Sequence, residues 1–267
     1  MRRQPHVAFK IFPSEIAPSR STLLFVHGMA HGAWCWEWLW VPWLQKKGYP
    51  CVTMNLRGHS ESEGWEHLRF TSIADYVRDV KYVISQLKEP PVIVGHSMGG
   101  FIVQKLLLAG TQLRAAILIA SVPATGFGKG LWRLLRLAPL RFLRALLTLS
   151  TTPFSESPEI VRKLCFSPDV PRERVHSAFM CMQPESFRAF LDMLFLDLHK
   201  PRRVSVPILC MAAGRDLIVE NKALEKTARA FGSDYVLLPE LAHNMMLDTH
   251  WEKACEKLHA WLQAKGL

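Results

Sequence analysis

Between the apolar run Pro91 to Val94 and the helix-patterned run Phe101 to Ala109 stand five residues, Gly95-His96-Ser97-Met98-Gly99, that read as a strand turning sharply into a helix. A serine hydroxyl is a poor nucleophile unless a base can reach it. A G-x-S-x-G turn of this kind holds the hydroxyl where that can happen, and its glycines let the backbone reverse without a Cβ clash. Five such residues also arise by chance. The strand before them and the helix after them supply the context that makes Ser97 a candidate nucleophile.

The rest of the chain repeats the same alternation. Strand-like runs are predicted at Val7 to Ile11, Thr22 to Val26, Cys51 to Asn55, Pro91 to Val94, Ala115 to Ile119, Pro207 to Ala212 and Tyr235 to Leu238. Several are apolar almost throughout, as strands buried on both faces must be. Ile73 to Leu87, Asn221 to Phe231 and Trp251 to Ala264 carry helical periodicity. This is the pattern of an α/β fold, a mostly parallel twisted sheet flanked by helices.

One region departs from it. From about Pro123 to Arg202 there is no clear strand, only helical patterning broken by Pro139, Pro153, Pro158, Pro168, Pro171 and Pro184. The expected organisation is a core of residues 1–122 and 203–267 with a helical cap, 123–202, over the mouth of the site. Leu131 to Leu149 is rich in leucine and carries Arg133, Arg136, Arg141 and Arg144. The simplest reading packs the leucines inward and solvates the arginines. The alternative is a lid whose basic, apolar surface touches a substrate or a membrane.

The chain's 267 residues are 49% apolar and 21% charged, the balance of a globular protein with a full core. No apolar stretch is long enough to span a bilayer, and no apolar segment follows the basic N-terminus, so a cytoplasmic protein without membrane insertion is expected. The six cysteines form no C-x-x-C pair, which argues against a zinc site or a disulfide framework. Lys and Arg exceed Asp and Glu by 33 to 23. With no nucleic-acid motif and no long basic tract, this excess reads as surface charge, and nucleic acid is not an expected partner.

Serine chemistry also needs a base, a group to orient it and donors for the oxyanion. Gly214-Arg215-Asp216 follows the run Pro207 to Ala212, and Ala242-His243-Asn244 lies just beyond Tyr235 to Leu238. Parallel sheets gather their sites at the strands' carboxyl ends, so Ser97, Asp216 and His243 can converge from distant positions. Among eleven histidines only His243 has this context; His96 lies inside the turn and cannot fold back onto its neighbour's hydroxyl. Asp192, Asp197 and Asp248 are the competing acids for Asp216. The backbone N–H groups of Met98 and Met29 are the expected oxyanion donors. His27, Gly28, Trp34 and His96 are expected to touch substrate; the tryptophan cluster from Trp34 to Trp43 begins in this loop and is expected to give part of an apolar wall, while Trp38, Trp40 and Trp43 are expected to belong to a helix packed on the sheet.

In these residues the chain resembles a serine hydrolase of the α/β-hydrolase superfamily. The order Ser, Asp, His is that superfamily's order. The stretch His27-Gly28 with Ala30-His31-Gly32-Ala33-Trp34 is similar to the plant methylesterase and hydroxynitrile lyase branch, and Arg57-Gly58-His59-Ser60 resembles a loop found across many members. The lyase branch has threonine where this chain has Gly28, and lysine where it has Asn244, so the resemblance implies ester cleavage and not cyanohydrin lysis. It implies a small-molecule substrate and neither metal nor organic cofactor. Thioester, lactone or carbon-carbon cleavage would use the same residues, and a receptor on the same fold is the reading from a different class.

Overall fold

The computed structural model describes residues 5–17, 20–127, 132, 135, 136 and 138–267. Seven strands form one sheet: β1 (Phe9–Phe12), β2 (Leu23–Val26), β3 (Cys51–Met54), β4 (Val92–His96), β5 (Ala115–Ile119), β6 (Ile208–Ala213) and β7 (Asp234–Leu238). Their order is β1-β3-β2-β4-β5-β6-β7. Only β1 runs antiparallel, against β3; the other pairings are parallel. All seven predicted strands are present, with ends shifted by a residue or two. The informative shift is in β4, which continues through Gly95 and His96 in register with Leu118 and Ile119 of β5. The reversal therefore falls on Ser97 alone.

Alternation along the strands divides the core in two. Leu23 and Phe25, Val92 and Val94, Ile117 and Ile119, and Leu209 and Met211 face one layer, with Trp36, Trp40 and Leu258. Leu24 and Val26, Ile93, Ala116 and Leu118, and Ile208 and Cys210 face the other, with Tyr76, Val80 and Phe101. The first layer is covered by α1 (Trp34–Glu37), α2 (Trp40–Lys46) and the closing helix, Trp251–Ala264; the second by α3 (Ile73–Ser85) and α4 (Met98–Leu108). Ser72 caps α3 through a reciprocal box with Asp75, the sequence signal that starts that helix cleanly. The chain passes from β2 outward to β3 and then returns to the far side of β2 for β4. A topological switch point therefore lies between β2 and β4, where parallel sheets open a crevice.

Between β5 and β6 the described residues contain helices only: α5 (Pro139–Thr148), α6 (Pro158–Cys165), α7 (Arg172–Cys181) and α8 (Phe187–Leu191), the last running on into a widened turn at Asp192–Leu196. For the leucines of α5 the inward expectation fails, while Leu131, Leu134 and Leu137 lie outside the described residues. Leu140 and Leu147 of α5 are 79% and 77% exposed, and Leu143 and Leu146 also face outward. The inward face carries Ala145, the partly buried Phe142, and Arg141, whose Nη1 donates to the Pro153 carbonyl at 2.7 Å. Arg144 bonds Glu156 at 2.8 Å. Arg133 lies outside the described residues. Periodicity marks a stripe without saying which way it points; here one inward phenylalanine and a carbonyl for the guanidinium outweigh the leucines. No helix among the described residues is long and apolar enough to cross a membrane.

Candidate active site

Ser97 joins β4 to α4 at φ +53°, ψ −114°, a conformation a side chain adopts only when its surroundings hold it there. The flanking glycines provide space. A Cβ at Gly95 would lie 2.5 Å from the Gly99 carbonyl oxygen, and one at Gly99 would lie 2.4 Å from that of Val26 and 2.6 Å from that of His27. The start of α4 is thus pressed against β2 with no room for a methyl. Gly99→Ala should therefore cost roughly 1–3 kcal/mol or more of stability, read as a melting temperature lowered by several degrees; an unchanged melting curve would contradict this packing.

Three loops at the carboxyl end of the sheet bring the sequence candidates together. The Ser97 hydroxyl donates to His243 Nε2 at 3.0 Å. His243 Nδ1–H donates to Asp216 Oδ2 at 2.8 Å. Asp216 Oδ1 in turn accepts from the Ile218 and Val219 N–H groups at 2.8 and 2.9 Å, so the carboxylate is fixed by its own loop. All three residues are buried. The rival acids are engaged elsewhere: Asp248 accepts from Ser167 and from the Ala242 N–H, and Asp192 pairs with Arg188 and the Ile73 N–H. His243 is steadied from its carbonyl side by His96, whose Nε2–H donates to it at 3.0 Å. Burial, reinforced by neighbouring imidazoles, holds His96 well below the usual histidine range, so it stays neutral.

A cavity opens over Ser97 and His243, lined on the core side by Met29, His31 and His96. Its apolar wall comes from the β5–β6 insertion, through Phe127, Phe154, Val161, Leu164, Met182 and Phe190. None of the tryptophans lines it. Trp36 and Trp40 are fully buried against the sheet, and Trp34 stacks on His31 with centroids 5.4 Å apart. Trp34, expected to touch substrate, stacks on a residue that lines the cavity. His27, also expected to touch substrate, is engaged by the backbone around it. Its Nδ1–H donates to the Gly28 carbonyl and its Nε2 accepts from the Leu56 N–H, while burial drives its pKa down to about 3. Gly28 lies beside Ser97: a Cβ there would lie 2.7 Å from His96 Nδ1 and 3.0 Å from Ser97 Cβ. A threonine would not fit against His96, which accounts physically for the departure from the lyase branch.

Met98 is the first residue of α4, so its N–H has no partner within the helix. Met29 stands in the cavity wall, early in the loop after β2. Sequence reasoning missed three features of this wall. His31 donates from Nδ1 to the Met29 carbonyl at 2.7 Å and accepts at Nε2 from Asn244 at 3.0 Å, with burial lowering its pKa to about 4. That ties the Met29 loop to the His243 loop. Glu185 enters the wall from the insertion, and Ile218 from the Asp216 loop. His31 stood within the quoted motif; Glu185 carried no local signal.

A serine on a strained strand-to-helix turn, with a histidine and an acid on later strand loops, is an arrangement found in hydrolases on parallel α/β folds. The chain belongs to the alpha/beta hydrolase family, whose model matches residues 23–257. Over 103 residues it is 35% identical to the pFDCC methylesterase of Arabidopsis thaliana, a stretch covering 37% of this chain and 38% of that protein. Over 78 residues it is 28% identical to a pyrethroid hydrolase of Sphingobium wenxiniae, covering 29% and 27% respectively. The matched stretches thus span between about a quarter and two fifths of those relatives. Among solved structures, an esterase from Exiguobacterium antarcticum superposes with a TM-score of 0.75 at 16% identity, covering 97% of this chain and 96% of that one. A soluble variant of monoglyceride lipase from Saccharomyces cerevisiae does so at 0.78 and 17%, covering 99% and 94%. At such identities these likenesses establish the fold.

Proposed function

We propose that the protein is a serine hydrolase that cleaves a carboxylic ester of a small, partly apolar substrate through an acyl-enzyme. The observation that carries this reading is the unbroken array Ser97–His243–Asp216, at 3.0 and 2.8 Å, at the base of an apolar cavity. His243 takes the hydroxyl proton as Ser97 Oγ bonds to the ester carbon, and the carbonyl electron pair moves onto oxygen. The N–H groups of Met98 and Met29 stabilise that oxyanion. Collapse expels the alcohol, which takes the proton from His243; water then repeats the sequence and releases the acid. Residues 123–202 act as the cap that supplies the apolar wall. The names of the two curated relatives, a methylesterase and a pyrethroid hydrolase, support the same class of chemistry.

The test is labelling by a fluorophosphonate, with Ser97 recovered as the modified residue, followed by a series of p-nitrophenyl esters. Each methylene buried against Phe154, Leu164 or Phe190 adds up to ~0.8 kcal/mol, about fourfold in kcat/KM. Selectivity should therefore climb from acetate to a medium chain. Acetate as the clear optimum would mean that the phenylalanine wall excludes the acyl chain; no labelling at Ser97 would overturn the serine mechanism.

A further inference from the structure

Glu185 is the one acidic residue in the cavity wall, and its side chain is fully buried. Donors from separate parts of the fold converge on it. Oε1 accepts from the Tyr76 hydroxyl of α3 at 2.5 Å and from the Ser186 N–H at 2.6 Å. Oε2 accepts from the Ala30 N–H at 3.3 Å and lies 3.2 Å from His59 Nε2. The segment holding Glu185 is itself anchored by Thr151, whose Oγ1 accepts from the Glu185 N–H and donates to its carbonyl.

The protonation of this node follows from what each atom faces. His59 Nδ1 points at the Arg57 carbonyl, which can only accept, so Nδ1 carries a proton. Nε2 lies 3.2 Å from a carboxylate oxygen, an ion-pair contact that favours a second proton on the ring as an imidazolium. Burial works against that charge on His59, but the Glu185 carboxylate opposite outweighs it and raises the pKa. For Glu185, burial is again outweighed, by His59 and by the Tyr76 and Ser186 donors, and its pKa is lowered. The pair therefore holds an acceptor of full negative charge against Ala30.

Ala30 is the residue that needs holding. It sits at φ +61°, where a side chain is disfavoured, directly after Met29. The two backbone groups of Ala30 are gripped by the same short piece of the insertion: its N–H by Glu185, and its carbonyl by the Gln183 N–H at 3.0 Å. The Ala30 N–H shares its peptide plane with the Met29 carbonyl, itself held by His31 Nδ1 at 2.7 Å, so Glu185 and His31 together fix that plane and with it the direction of the Met29 backbone. We propose that Glu185 is a positioning residue that, charged by its pairing with His59, holds Ala30 in the left-handed conformation and so aims the Met29 N–H at the oxyanion. This rests on the serine hydrolase reading above. It makes oxyanion stabilisation depend on contact between insertion and core.

Glu185→Gln is the test, because it preserves shape. The amide oxygen still accepts from Tyr76 and Ser186, and the NH₂ donates to a now neutral His59, but Ala30 N–H then faces a donor. Expected is a fall in kcat on the order of 10- to 100-fold, with KM changed less than about threefold, since the lost interaction belongs to the transition state. A trifluoromethyl ketone, which adds to Ser97 and places an oxyanion in the same hole, should lose affinity by the same factor. An unchanged kcat and inhibitor affinity in folded Glu185→Gln would overturn the proposal, as would a rise in KM alone. If that variant does not fold, Ala30→Val, which disturbs no buried charge, carries the test: a β-branched side chain resists φ +61°, so kcat should fall by at least about tenfold, and an unchanged kcat overturns the idea. Should the wild-type protein react with fluorophosphonate at Ser97 yet hydrolyse no ester, only the ester reading fails. The phosphonylation rate, which uses the same N–H pair, then reads the effect of Glu185→Gln.

Discussion

Ser97→Ala should lower kcat for ester hydrolysis by about 10⁶-fold, because the residues of such an array act as a unit and what remains comes from substrate binding and the oxyanion donors. The fold should be undisturbed. Alanine tolerates φ +53° no worse than serine, and the only side-chain bond removed is the 3.0 Å contact with His243. Substrate affinity should also persist, since the cavity walls are intact. The measurement is steady-state turnover of the best p-nitrophenyl ester beside a melting curve. Retention of even a tenth of wild-type activity in a folded variant would end the assignment of Ser97 as nucleophile. His243→Ala should be comparably severe, since without a base the buried hydroxyl keeps its proton.

Much of the framework was legible in the sequence because it depends on local patterning. Runs such as Leu23–Val26 and Ala115–Ile119 are apolar at every position, which suits only strands covered on both faces. Ser97, Asp216 and His243 could be picked out because each lies shortly after such a run, and a parallel sheet brings those ends together. The substrate wall was not legible. Trp40 packs on the sheet as expected, but Trp36 is as apolar as any cavity lining and its short helix turns it onto the sheet too, where it is fully buried. Composition cannot say which apolar surface an apolar residue meets. The α5 leucines show the same limit, as their spacing marks a face and leaves its direction to tertiary packing. Histidines posed a different problem. His27, His31 and His96 sit within a few residues of the site, yet only long-range partners distinguish the ring engaged by Leu56 from the rings that support the cavity. Glu185 is the extreme case, since its four donors lie up to 155 residues away in the chain.

Asp216→Asn should lower kcat by about 10⁴-fold without unfolding the loop. The asparagine Oδ1 can still accept from the Ile218 and Val219 N–H groups, which at 2.8 and 2.9 Å leave little choice of orientation. Its NH₂ must then take the place of Oδ2, 2.8 Å from His243 Nδ1. A donor there requires Nδ1 to be unprotonated, so the ring proton moves to Nε2. A protonated Nε2 faces the Ser97 hydroxyl as a donor and cannot accept its proton, so the base is disabled by its tautomer and not by displacement. Fluorophosphonate labelling of Ser97 should slow along with turnover, while the melting curve stays close to wild type. The outcome is decisive because the competing acids are engaged elsewhere, Asp197 by Lys105 Nζ at 2.6 Å. Asp248 is engaged by Ser167 and Ala242, and Asp192 by Arg188 and Ile73. A normal rate in Asp216→Asn would therefore refute the claim that a carboxylate sets the His243 tautomer, and would not simply move that role to a neighbour.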